Sequence, residues 1–431
     1  MKPLGALLHL KVIVFSMFAF TAAIPSVTND TLLTKLAFGS CHKSKYATGD
    51  VWASIAATSP QAFLWVGDSV YPPTRGIASI ELLKREYRAM LDNTTIGYHT
   101  LQPPLGIYGI YDDHDWGGND VGQGMPDKRL RKEAFFDFLG YPSQFLAERP
   151  GAYHSVDLGP PGQQIKILML DTRWFRDDHC IPSFATTIPL GAGLSCITRW
   201  LTAGLLGPFC SSKRTILGQD QWTWLEEELA HSKAQVHIVV SSIQVLTTNP
   251  VVESWGHFPA ERKRLLKLLN GVSGAIVLSG DVHHGELLGN DHFIYEVTSS
   301  GLTHSCTLPF YGSLCEPLLS TFTAHRMGAA DQYYIGRNFG TMEIDWEQHQ
   351  VKVNVHDALG VTVLTTGLKP MRRERRSDVE LARVPAVMDG HLVKRFQLWL
   401  IAVLAVFFGA VLRVFVWKAY MIPRGVKAKV A

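Results

Sequence analysis

The chain has 431 residues and a formal net charge of +3, with 46% hydrophobic and 18% charged residues. This length allows about two or three domains, and the balance of residue types excludes an intrinsically disordered chain. From residue 369 onward, 13 Lys and Arg stand against 4 Asp and Glu, so the remainder of the chain is net acidic. An acidic body argues against nucleic acid as a partner, because nucleic-acid binding requires a basic face.

The first 23 residues have the pattern of a secretory signal peptide. Lys2 and Lys11 precede an apolar run, and this run is followed by small residues up to Ala23, directly before Ile24. A basic start, a short apolar core and a small-residue cleavage site are the three parts of such a signal. The apolar core is shorter than the about 20 residues that a membrane span requires. We therefore expect residues 1–23 to be a cleaved signal peptide.

Residues 24–368 alternate short apolar runs with amphipathic stretches, which predicts a single α/β domain. The apolar runs predict buried strands at 62–66, 165–170, 236–240 and 275–278. The amphipathic stretches predict helices at 80–91, 128–139, 219–230 and 259–269. Near the end of the domain, strict alternation predicts antiparallel strands at 339–346, 351–355 and 361–364.

Polar clusters follow the predicted strands, where the functional residues of parallel sheets collect. They are GSCH at 39–42, GDSVY at 67–71, DDHDWGGND at 112–120, DTR at 171–173 and DVHHGE at 281–286. One Asp at a strand end is commonly a turn or cap residue, but five successive clusters are not explained in that way. Carboxylates and imidazoles this close together would repel and desolvate one another unless cations neutralised them. The pattern therefore predicts a site for two metal ions.

Two further residues in these clusters bear on the kind of metal. Tyr71 and Cys41 offer phenolate and thiolate donors, which favour a ferric or similarly acidic ion. Without a metal, Tyr71 is a core aromatic residue and Cys41 is a buried or disulfide-bonded thiol.

Seven motifs in this order resemble the PhoD-like metallophosphatases, the alkaline phosphatase D group of the calcineurin-like metallophosphoesterase superfamily. The motifs are FGSC, GDSVY, YDDHDWGGND, LDTR, LGQDQWTWL, SWGHFPAER and LSGDVHHGE, and the resemblance runs from about residue 36 to residue 364. The resemblance implies an α/β fold, a four-layer α-β-β-α metallophosphoesterase sandwich, with a two-metal centre at one edge. It also implies iron and calcium as the metals, with other divalent ions as the alternative.

The resemblance implies a role for individual residues, motif by motif. The metal ligands would be Cys41, Asp68, Tyr71, Asp113, Asp281 and His283. Asp68 would bridge the two ions, and Asp112 and Asn119 would be accessory ligands.

Two residues are expected to act in catalysis. His114 would protonate the leaving alkoxide as a general acid. Arg173 would hold a phosphate oxygen, or alternatively would form an ion pair with a neighbouring carboxylate such as Asp171. The expected reaction is hydrolysis of a phosphate ester, and the motifs do not distinguish a phosphatase from a phosphodiesterase. The alternative is a catalytically silent membrane glycoprotein or receptor on the same fold.

The cysteines allow two interpretations. Cys306 and Cys315 are expected to form a local disulfide, and two of Cys180, Cys196 and Cys210 a second one. This leaves one thiol unpaired if Cys41 binds a metal, whereas pairing of all six would remove Cys41 from the metal. Cys180, Cys196 and Cys210 lie in a segment, 177–215, that is long enough to be a lid or a substrate-recognition loop.

Residues 396–417 are predicted to form one transmembrane helix. They include 398–412, which has no polar side chain, and Trp399 and Trp417 lie where interfacial anchors are expected. A basic juxtamembrane segment, 369–395, precedes the helix, and a short basic tail, 418–431, follows it. Because both flanks are basic, the signal peptide decides the orientation, which places the catalytic domain in the lumen and the tail in the cytosol.

Further sequence signals predict the cellular location of the protein. Lys427 and Lys429 resemble the dilysine retrieval signal of endoplasmic reticulum membrane proteins, which a retrieval coat would bind. Asn29 and Asn93 begin glycosylation triplets compatible with a lumenal domain. We expect a single-pass type I protein of the endoplasmic reticulum or another secretory-pathway membrane, with the plasma membrane as the alternative. Such an address favours a lipid or glycan headgroup as the phosphate-ester substrate.

Overall fold

The computed structural model describes part of the chain between residues 27 and 414. Within that range the excluded residues are 75, 143, 144, 146, 184–190, 202–212, 290–293, 309–311, 324, 373, 374, 378, 379, 382, 383, 385–397, 400 and 404. The predicted signal peptide, the tail with Lys427 and Lys429, and part of segment 396–417 lie outside the described residues.

Two β-sheets form the centre of the described structure. The larger sheet has the strand order β1 (Val27–Asn29), β5 (His154–Leu158), β6 (Ile165–Leu170), β7 (Val236–Ser241), β8 (Ala275–Ser279), β10 (Tyr295–Ser299), β9 (Gly285–Gly289) and β11 (Tyr333–Tyr334). The smaller sheet has the order β14 (Thr362–Thr365), β13 (Gln350–Asp357), β12 (Asn338–Asp345), β2 (Lys35–Gly39), β3 (Ala62–Val66) and β4 (Ile107–Ile110), and β15 (Lys369–Pro370) also pairs with β13. In each sheet a parallel part is extended by antiparallel strands.

Helices connect and flank these strands. They are α1 (Asp50–Ala57), α2 (Ile80–Asp92), α3 (Asp113–Trp116), α4 (Lys128–Phe138), α5 (Gly191–Leu201), α6 (Gly218–Ala230), α7 (Pro259–Leu269) and α8 (Gly312–Thr321). The start of α2 is fixed by Ser79, whose side chain accepts a hydrogen bond from the Leu82 backbone. Pro259 begins α7, where its missing N–H costs no hydrogen bond.

The larger sheet carries apolar side chains on both faces. In β6, Ile167 and Met169 belong to the cluster that also contains residues of the smaller sheet. Leu168 and Leu170 point the other way, into a second cluster with residues of α6 and α7. A strand covered on both faces has to be apolar throughout, which explains the unbroken run IKILML. The chain therefore has a mixed α/β fold built on two sheets.

The disulfides decide between the two interpretations of the cysteines. Cys306 and Cys315 are bonded, as predicted, and Cys180 is also in a disulfide. Cys41 and Cys196 are free thiols, and Cys41 is buried. Pairing of all six cysteines is therefore wrong, and the Cys41 thiol is available as a ligand.

Within the described part of the chain, none of the helices has the length and apolar character needed to cross a membrane. The described residues between 398 and 414 are helical, and many of their apolar side chains are exposed, among them Val406, Phe408 and Leu412.

His154 is a buried histidine in an aromatic surrounding. Its Nδ1 atom lies 2.8 Å from the Ala152 carbonyl oxygen, and its ring makes edge contacts with Phe136 and Phe145. Burial lowers the pKa of His154 to about 4, although the hydrogen bond to Ala152 opposes this shift. The side chain is therefore neutral in the folded protein over a range in which it is protonated in the unfolded chain.

This difference predicts a pH dependence of stability. A histidine whose pKa is lowered by folding stabilises the folded protein as long as it is neutral. This stabilisation is complete above the pKa of the histidine in the unfolded chain, about 6.5, and is lost as the pH falls toward its pKa in the folded protein. His154→Gln should therefore lose less unfolding free energy than the unmodified protein between pH 7 and pH 4, by on the order of 3 kcal/mol. Urea unfolding at several pH values measures this difference, with the exposed His231→Gln as control. Parallel pH profiles for the unmodified protein and His154→Gln would contradict the prediction.

Candidate metal centre

The predicted strand-end clusters converge where the edges of the two sheets meet. Asp68 follows β3 and Asp113 follows β4 in the smaller sheet, whereas Asp281 follows β8 in the larger one. A Cβ atom at Gly280 would lie 2.4 Å from the Val66 carbonyl oxygen. Only glycine allows the two sheets to approach this closely, and this approach brings the ligands of one sheet to those of the other.

Asp68 is the shared member of three groups of donor side chains. Within each group, one ligand atom per residue lies within 4.8 Å of the others. The groups are Cys41, Asp68 and His283; Asp68, Asp113 and His114; and Asp68, Asp112, Asp113 and Asp281. A carboxylate common to all three groups has the position that a bridging ligand requires.

Tyr71 completes the first group. Its hydroxyl donates a hydrogen bond of 2.5 Å to Oδ2 of Asp68 and lies 3.1 Å from Nε2 of His283. The Cys41 sulfur lies 3.6 Å from the same carboxylate oxygen. The phenol, thiol, imidazole and carboxylate thus surround one small volume, as the sequence motifs predict.

The donor atoms fit a pair of cations. Among the described residues, Oδ2 of Asp112 and Oδ1 of Asp113 are buried and have no hydrogen-bond partner. An unpartnered buried carboxylate oxygen is costly, and a cation is the partner that removes this cost. The side chains therefore have the donor atoms, and the oxygen atoms without a hydrogen-bond partner, that a two-metal centre requires.

Backbone strain is concentrated at the same residues. The φ angles are +60° at Cys41, +49° at Asp68, +72° at Asp281 and +63° at His283. Non-glycine residues rarely adopt this region, and its cost is tolerated mainly at functional sites. Four strained residues that are also candidate ligands indicate a site in which the fold has fixed the donors in advance.

The electrostatics of the cluster are compatible with bound cations. Burial, followed by the charges of Asp113, Asp112 and Asp115, raises the pKa of Asp68 well above its usual value. Burial is also the main cause of the raised pKa of Asp281. Bound cations would reverse this direction, because they favour the ionised carboxylate.

Burial has the opposite effect on the histidines. It lowers the pKa of His283 to about 3, with the charge of His114 adding to the effect. The pKa of His114 is also lowered, mainly by burial, whereas Asp113 opposes the shift. Both imidazoles are therefore neutral near pH 7, the form that coordinates a metal or donates one N–H.

His114 lies on the solvent side of the cluster. Its ring centroid is 4.1 Å from that of Tyr71, and its backbone N–H lies 3.2 Å from Oδ1 of Asp68. The His114 side chain is half-buried, as are those of Asp281, His283 and Asn119. The other candidate donors are buried, namely Cys41, Asp68, Asp112 and Asp113. The centre thus opens to solvent along the side that holds His114 and His283.

Arg173 lies inside the fold and contacts two carboxylates. Its Nε atom is 2.6 Å from Oδ1 of Asp112, and its Nη1 atom is 2.8 Å from Oε1 of Glu253. Asp171 instead accepts hydrogen bonds from the backbone N–H groups of Arg173 and Trp174. The structure thus contains an ion pair of the kind the sequence suggests, with Asp112 and Glu253 as partners in place of Asp171. Binding of phosphate by Arg173 stays a prediction.

Asp115 has a role that the sequence analysis missed. Its carboxylate accepts hydrogen bonds from the Ser69 and Val70 backbone, the Ser69 hydroxyl and the Tyr87 hydroxyl. It therefore ties the loop that carries Asp68 to α3, which carries Asp113. A signal was present, because the motif YDDHDWGGND holds four aspartates and only Asp112 and Asp113 were assigned to metal binding.

Part of segment 177–215 is attached to the centre through Asp120. The Asp120 carboxylate pairs with Arg199 of α5 and accepts a hydrogen bond of 2.6 Å from the Ser183 hydroxyl. Arg199 also donates to the Val251 carbonyl oxygen at 3.0 Å. Asp120 in turn donates its backbone N–H to Oδ2 of Asp113 at 2.6 Å.

The ion pairs of Arg173 lead to a stability prediction. Arg173→Met leaves the buried Asp112 and Glu253 carboxylates without this partner, and breaking a buried pair costs about 3–5 kcal/mol. The exposed pair of Arg264 and Glu226, whose atoms are 2.7 Å apart, provides the matched control.

Arg264→Met should cost at most about 1 kcal/mol, because surface ion pairs contribute little. Urea unfolding of the full-length variants measures both values. A cost for Arg173→Met no larger than that for Arg264→Met would show that the buried pairs do not stabilise the fold.

Comparisons with known proteins agree with this geometry. The family model for PhoD-like phosphatases matches residues 123–355, more than half of the chain. Alkaline phosphatase D of Bacillus subtilis is 27% identical over 213 residues, which cover 44% of this chain and 33% of that protein. The match thus spans about a third of the length of this curated relative.

Two solved structures match this chain. The structure of PhoD has a TM-score of 0.53 at 15% identity and covers 87% of this chain and 79% of that one. A dimetal phosphatase from Danio rerio has a TM-score of 0.42 at 10% identity, with 78% and 99% covered. The family match and the likeness to PhoD confirm the resemblance seen in the motifs. The chain belongs to the PhoD-like phosphatase family.

Proposed function

We propose that this protein is a dinuclear metal-dependent phosphoesterase. The observation that carries the proposal is the convergence of three donor groups on the single carboxylate of Asp68. The strained backbone at four of the donors supports it, because a purely structural cluster has no need of such strain.

The donor chemistry suggests which residues hold which ion. Asp68 belongs to both sets and would bridge the ions. The thiol of Cys41, the phenol of Tyr71 and the imidazole of His283 form a set that suits iron in the ferric state. Asp113 and Asp281, with Asp112 and Asn119 as accessory donors, form an oxygen-rich set that suits calcium.

The residues of the chain have separate tasks in the proposed hydrolysis. Two bound cations would supply an activated water and neutralise charge on the phosphoryl group. To act as general acid, His114, half-buried on the open side, would be the protonated imidazolium, a form that burial opposes and the charge of Asp113 favours; it would give this proton to the leaving oxygen and become neutral. Its imidazole ring packs against the Tyr71 ring, with the two ring planes tilted by 35°. Arg173 holds Asp112 in place from inside the fold.

The proposal includes the four-layer α-β-β-α arrangement of the superfamily. The apolar clusters on both faces of the larger sheet support this arrangement, because one contains residues of the smaller sheet and the other contains residues of α6 and α7.

Replacement of the shared carboxylate tests the enzyme proposal. Asp68→Asn removes a negative bridging ligand, so we expect loss of bound metal and a fall in kcat/KM of more than about 10³-fold. The measurements are metal content of the full-length protein and turnover of p-nitrophenyl phosphate and bis-p-nitrophenyl phosphate, with and without chelator. The exposed Asp137→Asn on α4 is the control for the substitution itself.

Two outcomes would count against the enzyme proposal. If the unmodified protein holds no stoichiometric metal and turns over neither ester, the chain is the catalytically silent glycoprotein or receptor. If Asp68→Asn retains full activity, the assigned centre is not the place of the chemistry.

We also propose that the protein is a type I membrane protein with its catalytic domain in the secretory lumen. The exposed apolar side chains between 398 and 414 support a membrane tether. Asn93 supports the lumenal address, because it is exposed and its triplet is accessible. A retrieval coat on Lys427 and Lys429, and a lipid or glycan headgroup as substrate, complete this proposal.

Glycosylation in cultured eukaryotic cells tests the address. The full-length protein should carry N-linked glycans that peptide N-glycosidase removes, seen as a mobility shift that the double variant Asn29→Gln, Asn93→Gln does not show. These glycans should also stay sensitive to endoglycosidase H, as is expected in the endoplasmic reticulum.

The double variant Lys427→Ser, Lys429→Ser should acquire resistance to endoglycosidase H as it moves onward. An unmodified protein without glycans would refute the lumenal address. Unchanged sensitivity in the lysine variant would refute retrieval.

A further inference from the structure

Lys43 is a cation at the mouth of the candidate centre. It follows Cys41 by two positions and is half-buried, on the side where His114, Asp281 and His283 are also half-buried. Its ammonium group lies 5.4 Å from the centroid of the Tyr71 ring. The charge is therefore held over the ring of a candidate ligand, next to the opening through which a substrate enters.

The backbone around Lys43 is fixed to a second loop. Its N–H donates to the Thr303 hydroxyl at 2.7 Å, and the same hydroxyl donates to the Lys43 carbonyl oxygen at 3.0 Å. The Cys41 carbonyl oxygen accepts from the His304 N–H at 3.0 Å. Cys306, which follows in this second loop, is held by its disulfide to Cys315. The position of the Lys43 backbone is therefore set by the fold.

Aromatic rings hold the ammonium group without neutralising it. The Lys43 nitrogen is 5.7 Å from the centroid of Tyr46 as well as 5.4 Å from that of Tyr71. Contacts of this type are attractive at such distances but leave the full positive charge. Among the described residues, Lys43 has no carboxylate within the 4.0 Å of an ion pair.

This distinguishes Lys43 from the arginines of the centre. The guanidinium group of Arg173 pairs with Asp112 and Glu253, that of Arg176 pairs with Glu253, and that of Arg199 pairs with Asp120. Those three cations are buried and serve to neutralise carboxylates. Lys43 is the cation at the open side whose charge the described residues leave unpaired.

His304 lies beside this cation. Its ring centroid is 4.0 Å from that of His283 and 4.9 Å from that of Tyr71. The Lys43 ammonium group, 5.4 Å from the Tyr71 ring centroid, is thus close to the same candidate ligands.

We propose that Lys43 binds a non-bridging oxygen of the substrate phosphate and gives the enzyme a preference for monoesters over diesters. This inference rests on the proposed phosphoesterase function. A phosphate monoester carries close to two negative charges above pH 7, whereas a diester carries one. The second charge requires a cation beyond those that activate water and neutralise the reacting group, and Lys43 provides it at the mouth. A diester places a neutral, bulkier ester oxygen at the same position and gains little from the ammonium group.

The experiment compares two substitutions of Lys43 with one of Lys45. Lys43→Gln removes the charge at similar length, and Lys43→Arg keeps it. Lys45→Gln is the matched control, because Lys45 lies two residues further on, is exposed, and contacts Tyr46 at 5.8 Å. All variants are full-length proteins with their metals, and metal content and melting temperature are checked for each.

Three readings test the proposal. For Lys43→Gln, kcat/KM for p-nitrophenyl phosphate should fall about 10–100-fold, the value of one hydrogen bond to a charged group. The value for bis-p-nitrophenyl phosphate should change less than about 3-fold, within the contribution of a weak contact. The dissociation constant of inorganic phosphate, measured by calorimetry, should rise by a factor similar to the monoester loss. Lys43→Arg should keep most of the monoester activity, and Lys45→Gln should resemble the unmodified protein.

The outcomes separate the two proposals. If the unmodified protein hydrolyses the esters but Lys43→Gln loses both equally or neither, Lys43 does not select monoesters, and the phosphoesterase function stands. If the unmodified protein is inactive but binds phosphate, calorimetry on Lys43→Gln still decides whether this side chain holds it. Unchanged phosphate affinity in Lys43→Gln overturns the proposal in either case.

Discussion

Four carboxylates that share a space nearly closed to water set the conditions for the rest of this fold. Asp68, Asp112, Asp113 and Asp281 all lie in one group whose ligand atoms are within 4.8 Å of one another. Cations placed among these carboxylates would offset their mutual repulsion. The fold supplies arginines as partners for some of the carboxylate oxygens, and it leaves the buried Oδ2 of Asp112 and Oδ1 of Asp113 without a hydrogen-bond partner among the described residues. The close approach of the sheets at Gly280 is what brings the carboxylates of the two sheets together.

The two classes of cation differ in chemistry as well as in place. Arginine presents several N–H donors in one plane, so a single Arg173 bonds Asp112 and Glu253 at once and connects two loops. Lysine offers a compact charge on a flexible stem, which suits a partner that arrives and leaves. The arrangement of guanidinium groups inside and ammonium outside therefore follows from what each group has to hold, a fixed carboxylate or an exchanging anion.

Much of the fold was readable from the sequence, because its signals are local. The runs AFLWV and IKILML are strands with the predicted bounds, since burial on both faces requires unbroken apolar character. The helix 259–269 also has the predicted bounds, because Pro259 starts it. The ligand clusters were readable for the same reason, as each directly follows its strand. Their convergence on Asp68 depends on how the two sheets pack against each other, which no single segment encodes.

Other contacts were not readable, because they join distant parts of the chain. Glu253 is 80 residues from Arg173 and lies directly before the motif SWGHFPAER, where nothing in the sequence indicates an ion pair. The role of Asp115 depends on the placement of Tyr87 from α2, and that of Lys43 depends on Thr303 from another loop. These side chains look like ordinary surface residues in the sequence. Only the three-dimensional arrangement shows that their charges and hydroxyl groups are committed to the centre.

Asp120 makes the centre and the segment that begins at residue 177 thermodynamically interdependent. One residue supports the Asp113 carboxylate through its backbone and holds Arg199 and Ser183 through its side chain. Any molecule that favours the attached position of this segment therefore favours the ligand geometry of Asp113, and a cation on Asp113 favours attachment by the same free energy. This reciprocity is a general property of linked equilibria. Through Asp120, a segment far longer than an ordinary loop is thus linked to any cation that would bind Asp113.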